Sequence, residues 1–255
     1  MIPRISVISY SPMNLPLPEG QSARQEYVRS LFDGIASHYD FLNHLLSSGF
    51  DILWRKHAIQ LLQEFHPQYI LDIATGTADL ALEAARSMGA RVIGIDISSQ
   101  MLTLGREKIV QRRLDQLVSL KLGTAESLEF DDNTFDAVTV SFGVRNFSDV
   151  QKGLAEMHRV LRKNGIALIL EFSKPRMFPF RQIYGFYFQR ILPFVGGLVS
   201  KNRESYDYLP TSVKDFPDDS AFLTFLHSAG FSNTKQYRLT FGVATIYLGM
   251  KVESR

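Results

Sequence analysis

Leu71-Asp-Ile-Ala-Thr-Gly-Thr-Ala-Asp-Leu80 is the stretch that decides the fold of this chain. It ends an apolar run, Tyr69 to Ala74, and opens a segment, Thr77 to Met88, whose leucines and alanines recur at helical spacing. Gly76 lies at the junction, where a residue without a side chain permits a tight turn. The stretch therefore predicts a strand, a turn and a helix whose first backbone amides are free to meet an anionic group.

The same alternation continues along the chain. Arg91 to Asp96 predicts a second strand, and Ser98 is the predicted N-cap of a helix over Met101 to Gln111. The remaining predicted elements are strands at 118–122, 136–141 and 166–172, a helix at 148–162 that ends at Asn164-Gly165, and an antiparallel hairpin of 233–239 with 244–250 at one edge. This order predicts an α/β fold, a parallel sheet with helices on both faces.

Composition bounds the classes of protein to consider. The chain has 255 residues, 45% of them hydrophobic, and no cysteine. This is an ordinary globular mix, which excludes wholesale disorder, disulfide scaffolds and zinc or iron–sulfur sites with cysteine ligands. A net charge of +2 is too small and too dispersed for a nucleic-acid footprint. We expect one domain, no nucleic-acid partner and no metal site; a homo-oligomer is left open.

Two regions interrupt the alternation. Residues 1–22 contain four prolines and predict a flexible leader before a single domain at 23–255. Residues 28–62 and 176–216 are expected to be helical lid segments. Within the second, Phe178 to Val199 is rich in aromatic residues but too interrupted to span a bilayer, so it predicts either core packing or contact with a membrane surface. The expected location is cytoplasmic, peripheral to the inner face of the cell membrane.

Ligand chemistry follows from the ends of the first two strands. On a G-x-G-x-x-G template, positions 74, 76 and 79 are Ala, Gly and Asp, and an aspartate in the first helical turn would repel a pyrophosphate. Asp96 lies 20 positions beyond Gly76, where a carboxylate can accept both hydroxyls of a ribose. The alternative is that Asp96 caps the helix near Ser98. Together these features favour an adenosine ligand without phosphates, such as S-adenosylmethionine.

Several motifs resemble known proteins. Leu71 to Leu80, Gly94-Ile-Asp-Ile97, Phe130 to Asp136 and Met157 to Gly165 resemble, in order, the motifs of class I S-adenosylmethionine-dependent methyltransferases. More narrowly, the sequence is similar to quinone-biosynthesis C-methyltransferases at Tyr39-Asp-Phe-Leu-Asn43, Ser141-Phe-Gly-Val-Arg-Asn146 and Leu170-Glu-Phe-Ser-Lys-Pro175. The resemblance implies a seven-stranded mixed sheet whose last strand is antiparallel. The chain departs from the family at Thr75 and Ala78, where glycine is usual.

The resemblance also implies a set of site residues. Asp72 would orient the loop or the methionine ammonium, with Gly76 at the turn, and Thr77 would meet the methionine end. Asp96 would hold the ribose. The other expected cofactor contacts are Thr124 and Ala125 at the adenine and Ser141 on the far side. The residues themselves predict only that these positions share the ligand-binding edge of the sheet.

Methyl transfer to a ring carbon needs an electron-rich ring. A quinol hydroxyl titrates near pH 10, so its ionisation at neutral pH requires a base or a nearby cation. Arg145 is the predicted cation, because guanidinium stays charged, and Asn146 is predicted to donate to the same oxygen. An exposed arginine with a solvated or salt-bridged head is the alternative. The base is left open among His38, Tyr39, Asp40, Glu171 and a held water, whereas His158 is expected on a helix surface.

The predicted function is C-methylation of demethylmenaquinol, with S-adenosylmethionine as methyl donor and a polyprenylated quinol as substrate. An enzyme acting on a ubiquinone precursor, or on both rings, is the nearest alternative. A nicotinamide-dependent oxidoreductase is disfavoured by the missing glycines, and a non-catalytic partner would bind the cofactor without turnover.

Overall fold

The computed structural model describes residues 18, 20–36, 39–40, 47, 49–187 and 203–252. Within them the helices are α1 (Gln21–Ile35), α2 (Phe50–Gln63), α3 (Asp79–Met88), α4 (Ser99–Gln111), α5 (Val150–Val160), α6 (Phe180–Phe186), α7 (Arg203–Asp215) and α8 (Ser220–Ser228). The strands are β1 (Tyr69–Ile73), β2 (Arg91–Asp96), β3 (Val118–Leu122), β4 (Phe135–Ser141), β5 (Leu161–Phe172), β6 (Ser232–Leu239) and β7 (Ala244–Met250).

These strands form one sheet in the order β3-β2-β1-β4-β5-β7-β6. β1 to β5 run parallel to one another, and β7 runs antiparallel to both β5 and β6. This confirms the seven-stranded mixed sheet and the late hairpin. Strand order reverses beside β1, which has β2 on one side and β4 on the other, so a crevice opens at the carboxyl ends of these strands.

Buried side chains alternate between the two faces of the sheet, as the period of a strand requires. In β5, Leu168 and Leu170 pack with Ile59 of α2 on one face. Ile169 packs on the other face with Leu154 of α5 and with α8. Helices therefore cover both faces, as predicted, and hold the strand ends rigidly in place.

Four helix boundaries differ from the predictions. α3 begins at Asp79, two residues after Thr77, and α4 begins at Ser99 rather than Met101, directly after the predicted cap Ser98. The predicted helix 148–162 spans only Val150–Val160, and β5 begins at Leu161 rather than at 166. Leu161 is extended and pairs with Phe135 of β4, so tertiary pairing ends the helix before Asn164 is reached.

Both regions expected to be lids contain helices among their described residues. α1 begins at Gln21, one residue before the expected end of the leader, and α2 packs over the sheet. α6 and α7 fall within 176–216. Residues 1–17 of the leader, His38 and the later part of the aromatic segment, 188–199, lie outside the described residues. α8 is a helix that the sequence analysis did not predict.

Candidate active site

A cavity opens at the carboxyl ends of β1, β2 and β4, where the strand order reverses. Six of the nine predicted site residues line it: Gly76, Asp96, Thr124, Ala125, Ser141 and Asn146. The other three, Asp72, Thr77 and Arg145, are buried behind its walls. The sequence thus located the cavity correctly, and the roles of the three buried residues depend on their contacts.

The turn after β1 is built around Gly76, whose φ of +55° lies in the left-handed region that glycine adopts without strain. Its amide donates to Asp96 Oδ2 at 2.8 Å, which ties the turn to the end of β2. Ala78 also has a positive φ, +68°, where the family usually has glycine. The turn therefore keeps the left-handed geometry at 78 with an alanine.

Thr75, the second departure from the family, is integrated into the loop. Its hydroxyl donates to Asp72 Oδ2 at 2.6 Å. A Cβ at Gly94 would lie 2.8 Å from Thr75 Oγ1, so the glycine in β2 is needed where the threonine packs. Asp72 also accepts from Thr139 at 2.6 Å. Asp72 thus orients the loop, which is one of its two predicted roles, and does not face the cavity.

Burial raises the pKa of Asp72 to about 6, because its carboxylate lies in the core, although the two threonine hydroxyls and Arg55 act in the opposite direction. An unfolded chain would release this proton near pH 3.8. The folded protein therefore binds the proton more tightly, and the stability that this provides is present at low pH and lost as pH rises to about 6.

We expect Asp72→Asn to stabilise the protein at neutral pH. The amide can accept one threonine hydroxyl and donate to the other while removing the buried charge, whose penalty at pH 7.5 is about 3 kcal/mol. Urea unfolding at pH 7.5 and pH 4.5 measures this. The gain should be about 2 kcal/mol larger at the higher pH than at the lower one, where the penalty is about 1 kcal/mol. A difference that is equal at both pH values would contradict this account.

Asp96 stands at the end of β2 with its carboxylate at the cavity wall. Oδ1 accepts from the Ser98 amide at 2.9 Å, and Oδ2 accepts from Gly76. The N-cap of α4 is Ser98, whose Oγ accepts from the Met101 amide at 3.1 Å. The alternative that Asp96 is the cap is therefore wrong. Burial raises the pKa of Asp96, and the backbone amides oppose that shift.

The carboxylate has about four acceptor sites, of which backbone amides use two. Two remain for the adjacent hydroxyls of a ribose. Across the cavity, Ser141 Oγ is buried and has no hydrogen-bond partner among the residues that the structure describes. Thr124 and Ala125 follow β3 on the same edge. The hydroxyl of Ser141 and the free acceptor sites of the Asp96 carboxylate can therefore bind a polar nucleoside such as S-adenosylmethionine.

We expect Ser141→Ala to weaken cofactor binding without destabilising the free protein. The hydroxyl has no partner to lose, whereas a bound ligand that pairs with it would lose about 1 kcal/mol, or about fivefold in affinity. Titration calorimetry and thermal unfolding measure the two effects. Thr139→Val is the matched control, because it removes a paired hydroxyl and should lower stability. An unchanged affinity in Ser141→Ala would reject the assigned contact.

Thr77 is itself buried and belongs to a partly buried polar cluster, and it is not among the residues that line the cavity. Its hydroxyl donates to Asp40 at 2.6 Å and accepts from Lys108 Nζ at 2.8 Å. Lys108 also pairs with Asp40 and with Asp79, at 2.6 and 2.7 Å. The Thr77 side chain therefore fastens the segment that contains Tyr39 and Asp40 to the cofactor loop. Lys108 was not predicted as a site residue, because nothing in the sequence around it indicates that its side chain reaches Thr77.

Arg145 follows β4 in a one-turn 3₁₀ helix and is only 6% exposed. Its Nη1 donates to Glu171 Oε1 at 2.7 Å and to the Phe142 carbonyl, and its Nε donates to Ser212 at 3.4 Å. Burial raises the pKa of Glu171, while the Arg145 charge lowers it. The guanidinium group of Arg145 is thus salt-bridged, as in the alternative prediction, but it is buried rather than exposed. Nη2 makes no hydrogen bond to the described residues.

Asn146, next in sequence, faces the cavity. Its Oδ1 accepts from the Tyr208 hydroxyl at 3.0 Å, which orients the amide and leaves Nδ2 to donate elsewhere. Tyr208 belongs to α7, so a lid helix positions a residue of the cavity wall. This contact, 62 residues apart, has no signal in the local sequence.

The other candidate bases are placed as follows. Tyr39 lines the cavity and packs edge-on against Phe32 at 6.0 Å. Asp40 is committed to Thr77 and Lys108. His158 lies on α5, half-buried edge-on against Phe231 at 5.2 Å, and burial with the nearby Lys251 charge lowers its pKa. It therefore packs in a helix–sheet interface away from the cavity.

Known structures share this fold. A crystal structure of a SAM-dependent methyltransferase from Thermotoga maritima matches with a TM-score of 0.61 and 17% identity, over 88% of this chain and 99% of that chain. The fold is therefore that of the class I S-adenosylmethionine-dependent methyltransferases.

The chain belongs to the ubiE/COQ5 methyltransferase family, whose model matches residues 20–251, and is a C-methyltransferase. A demethylmenaquinone methyltransferase from Bacteroides fragilis is 44% identical over 89% of this chain and 94% of its own length. The "Ubiquinone/menaquinone biosynthesis C-methyltransferase UbiE" from Geobacter sulfurreducens is 45% identical over 89% of both chains. The predicted family, fold and enzyme class are confirmed. No described helix has the length and apolar character needed to cross a bilayer.

Proposed function

We propose that the protein methylates a ring carbon of demethylmenaquinol to give menaquinol, with S-adenosylmethionine as the methyl donor. The names of the relatives support this choice. One relative is named for demethylmenaquinone and another for both ubiquinone and menaquinone biosynthesis, so the menaquinone step is common to both. The observation in the structure that supports ring methylation is the position of Asn146, which lines the cavity, has its Oδ1 occupied by Tyr208 and directly follows Arg145 of the Arg145–Glu171 pair.

Asn146 and Arg145 would act on the quinol oxygen next to the reacting carbon. Nδ2 of Asn146 can donate to that oxygen, and Nη2 of Arg145 is the guanidinium nitrogen without another partner among the described residues. A buried cation and a fixed donor favour the ionised quinol, and the negative charge enriches the adjacent carbon with electrons. Ionisation is what makes this carbon a sufficient nucleophile.

Glu171 acts in this proposal as a positioning residue. It is fully buried and holds Arg145 through Oε1, while its Oε2 accepts from the Arg145 amide at 3.4 Å. The Phe172 ring lies 5.4 Å from the guanidinium carbon on another side. The guanidinium is thereby fixed in one orientation before substrate arrives, so no reorganisation is needed during reaction.

The cofactor loop and Asp96 set the position of the donor. When bound, S-adenosylmethionine supplies its sulfonium methyl, which forms the new carbon–carbon bond as the sulfur keeps the electron pair and the ring loses a proton. Asp96 would hold the ribose, and Ser141 the far side of the ligand. The protein contributes mainly by aligning methyl and ring carbon, which is worth several orders of magnitude in rate.

A direct competition tests the substrate. The protein is incubated with methyl-labelled S-adenosylmethionine and an equimolar mixture of reduced demethylmenaquinone and the ubiquinone precursor polyprenyl-methoxy-benzoquinol, and both products are analysed by mass spectrometry. We expect labelled menaquinol. Comparable labelling of both rings would establish the dual specificity that the second relative's name suggests. Labelling of the ubiquinone precursor alone would overturn the proposal.

A further inference from the structure

Most of the large apolar side chains that the described residues leave in solvent belong to three segments. The segments are the start of α2, the stretch from Lys174 through α6, and the connection between β6 and β7. Phe178 is 79% exposed and Phe241 is 61% exposed. The others in these segments are Phe50, Ile52, Leu53, Met177, Ile183 and Phe186. Exposure of this kind on one protein marks an interaction surface rather than scattered surface residues.

Direct contacts join the three segments. The Phe180 ring of α6 stacks on Phe241 with 3.7 Å between centroids. Trp54 of α2 donates through Nε1 to Thr240 Oγ1 at 2.8 Å, one residue before Phe241. The three segments therefore meet around Phe241, and we call their exposed apolar side chains the apolar entrance face.

The apolar entrance face leads towards the cavity. The Trp54 ring lies 6.1 Å from Phe142 and 6.3 Å from Phe172, and those two rings lie 4.5 Å apart. Phe142 lines the cavity, and Phe172 lies against Arg145. An aromatic cluster thus connects the outer apolar surface to the site where the quinol ring would react.

The apolar entrance face has a net positive charge. Its segments, 50–56, 174–186 and 238–241, carry six basic side chains: Arg55, Lys56, Lys174, Arg176, Arg181 and Arg238. Four carboxylates, Asp51, Asp79, Asp218 and Asp219, lie in them or pair with them. The resulting net charge of +2 equals that of the whole chain. An apolar surface ringed by basic groups complements an anionic lipid bilayer.

We propose that the apolar entrance face docks on the surface of a bilayer that contains anionic lipid and admits the substrate ring past Phe142 and Phe172. The role as a ring entrance rests on the proposed function, whereas bilayer docking rests on the exposed side chains and charge alone. The face inserts apolar side chains among the lipid headgroups, and Lys56 and Arg181 meet the anionic groups. The ring then moves inward while the tail stays in lipid.

Flotation with lipid vesicles, without quinol or S-adenosylmethionine, tests the docking. The variants are Ile183→Glu on the apolar entrance face and Val110→Glu on α4, beside the opposite half of the sheet. The two side chains are similarly exposed, at 61% and 68%. We expect wild type and Val110→Glu to float with phosphatidylglycerol-containing vesicles and Ile183→Glu to float at least about fivefold less. Arg181→Glu should also float less than wild type with these vesicles. Its flotation should not recover when the vesicles are made of neutral lipid.

Each contrary result has a definite meaning. Equal flotation of Ile183→Glu and wild type, or failure of wild type to float, would overturn the proposal. So would a change of oligomeric state in Ile183→Glu during size-exclusion chromatography, which would assign the face to a second copy of the chain. Methyl transfer to a short-tailed, water-soluble quinol should be unchanged in Ile183→Glu. Flotation without methyl transfer in wild type would reject the proposed function while leaving the docking intact.

Discussion

Asp96→Ala is expected to raise the dissociation constant of S-adenosylmethionine by about 100-fold or more. Hydrogen bonds to a charged acceptor contribute about 1.5 to 3 kcal/mol each, and Asp96 can accept two from a ribose. The substitution also releases the amides of Gly76 and Ser98, which the carboxylate holds at 2.8 and 2.9 Å. The loss of the ribose hydrogen bonds and the loss of these backbone contacts both weaken the binding of S-adenosylmethionine. The loss of affinity should therefore exceed that of any other single substitution at the cavity.

Calorimetric titration of Asp96→Ala, Asp96→Asn and Asp136→Asn separates the causes. Asp136 also accepts from two backbone amides, those of Gln68 and Tyr69, but it lies at the amino end of β4, at the opposite end of the strand from the cavity. Asp136→Asn should therefore retain cofactor affinity. Asp96→Asn, which keeps one acceptor oxygen, should fall between wild type and alanine. If Asp96→Ala and wild type bound S-adenosylmethionine with equal affinity, the assignment of the ribose contact to Asp96 would be wrong.

The Arg145→Met/Glu171→Gln double variant is expected to fold and bind S-adenosylmethionine but to lose about 100-fold or more in turnover. Removing one member of a buried pair leaves an unpaired charge and costs about 3 to 5 kcal/mol, whereas replacing both by neutral residues of similar volume is often tolerated. Loss of a preorganised charge at a developing oxyanion costs about 100- to 1,000-fold in rate. The double variant therefore isolates the chemical effect from unfolding.

Stability, cofactor affinity and turnover are measured on the same preparations. Glu171→Asp is the conservative control, because it keeps the carboxylate but shortens its reach to Arg145, and it should lose less turnover. A flattened dependence of turnover on pH in the double variant would indicate that the pair assists ionisation of the quinol. Turnover within threefold of wild type would reject Arg145 as the cation that acts on the substrate.

The strands were predictable because buried parallel strands appear as short apolar runs, and the carboxyl-end residues follow them directly in sequence. Asp96 and Ser141 could be placed in this way. The end of α5 could not, because it is set by a distant residue. Lys251 Nζ donates to the carbonyls of Arg159 and Leu161 at 3.1 and 2.8 Å, which satisfies the last turn of the helix 90 residues away.

The partners of the buried polar residues could not be predicted from the local sequence either, because they too are distant along the chain. Arg145 was predicted as the cation, yet its partner Glu171 was weighed only as a base, because nothing in the sequence shows that positions 26 apart meet. The resemblance placed Thr77 at the methionine end, whereas its hydroxyl bonds Asp40 and Lys108. Spacing identifies which strand end a residue occupies, but not which way its side chain turns.

The most direct measurement is a crystal structure with S-adenosylhomocysteine, the product nucleoside. We predict that its two ribose hydroxyls lie within about 3 Å of the Asp96 carboxylate oxygens, as expected of charge-assisted hydrogen bonds, with the thioether sulfur facing Asn146. An empty cavity at saturating ligand would contradict the account, as would a nucleoside bound with its ribose away from Asp96.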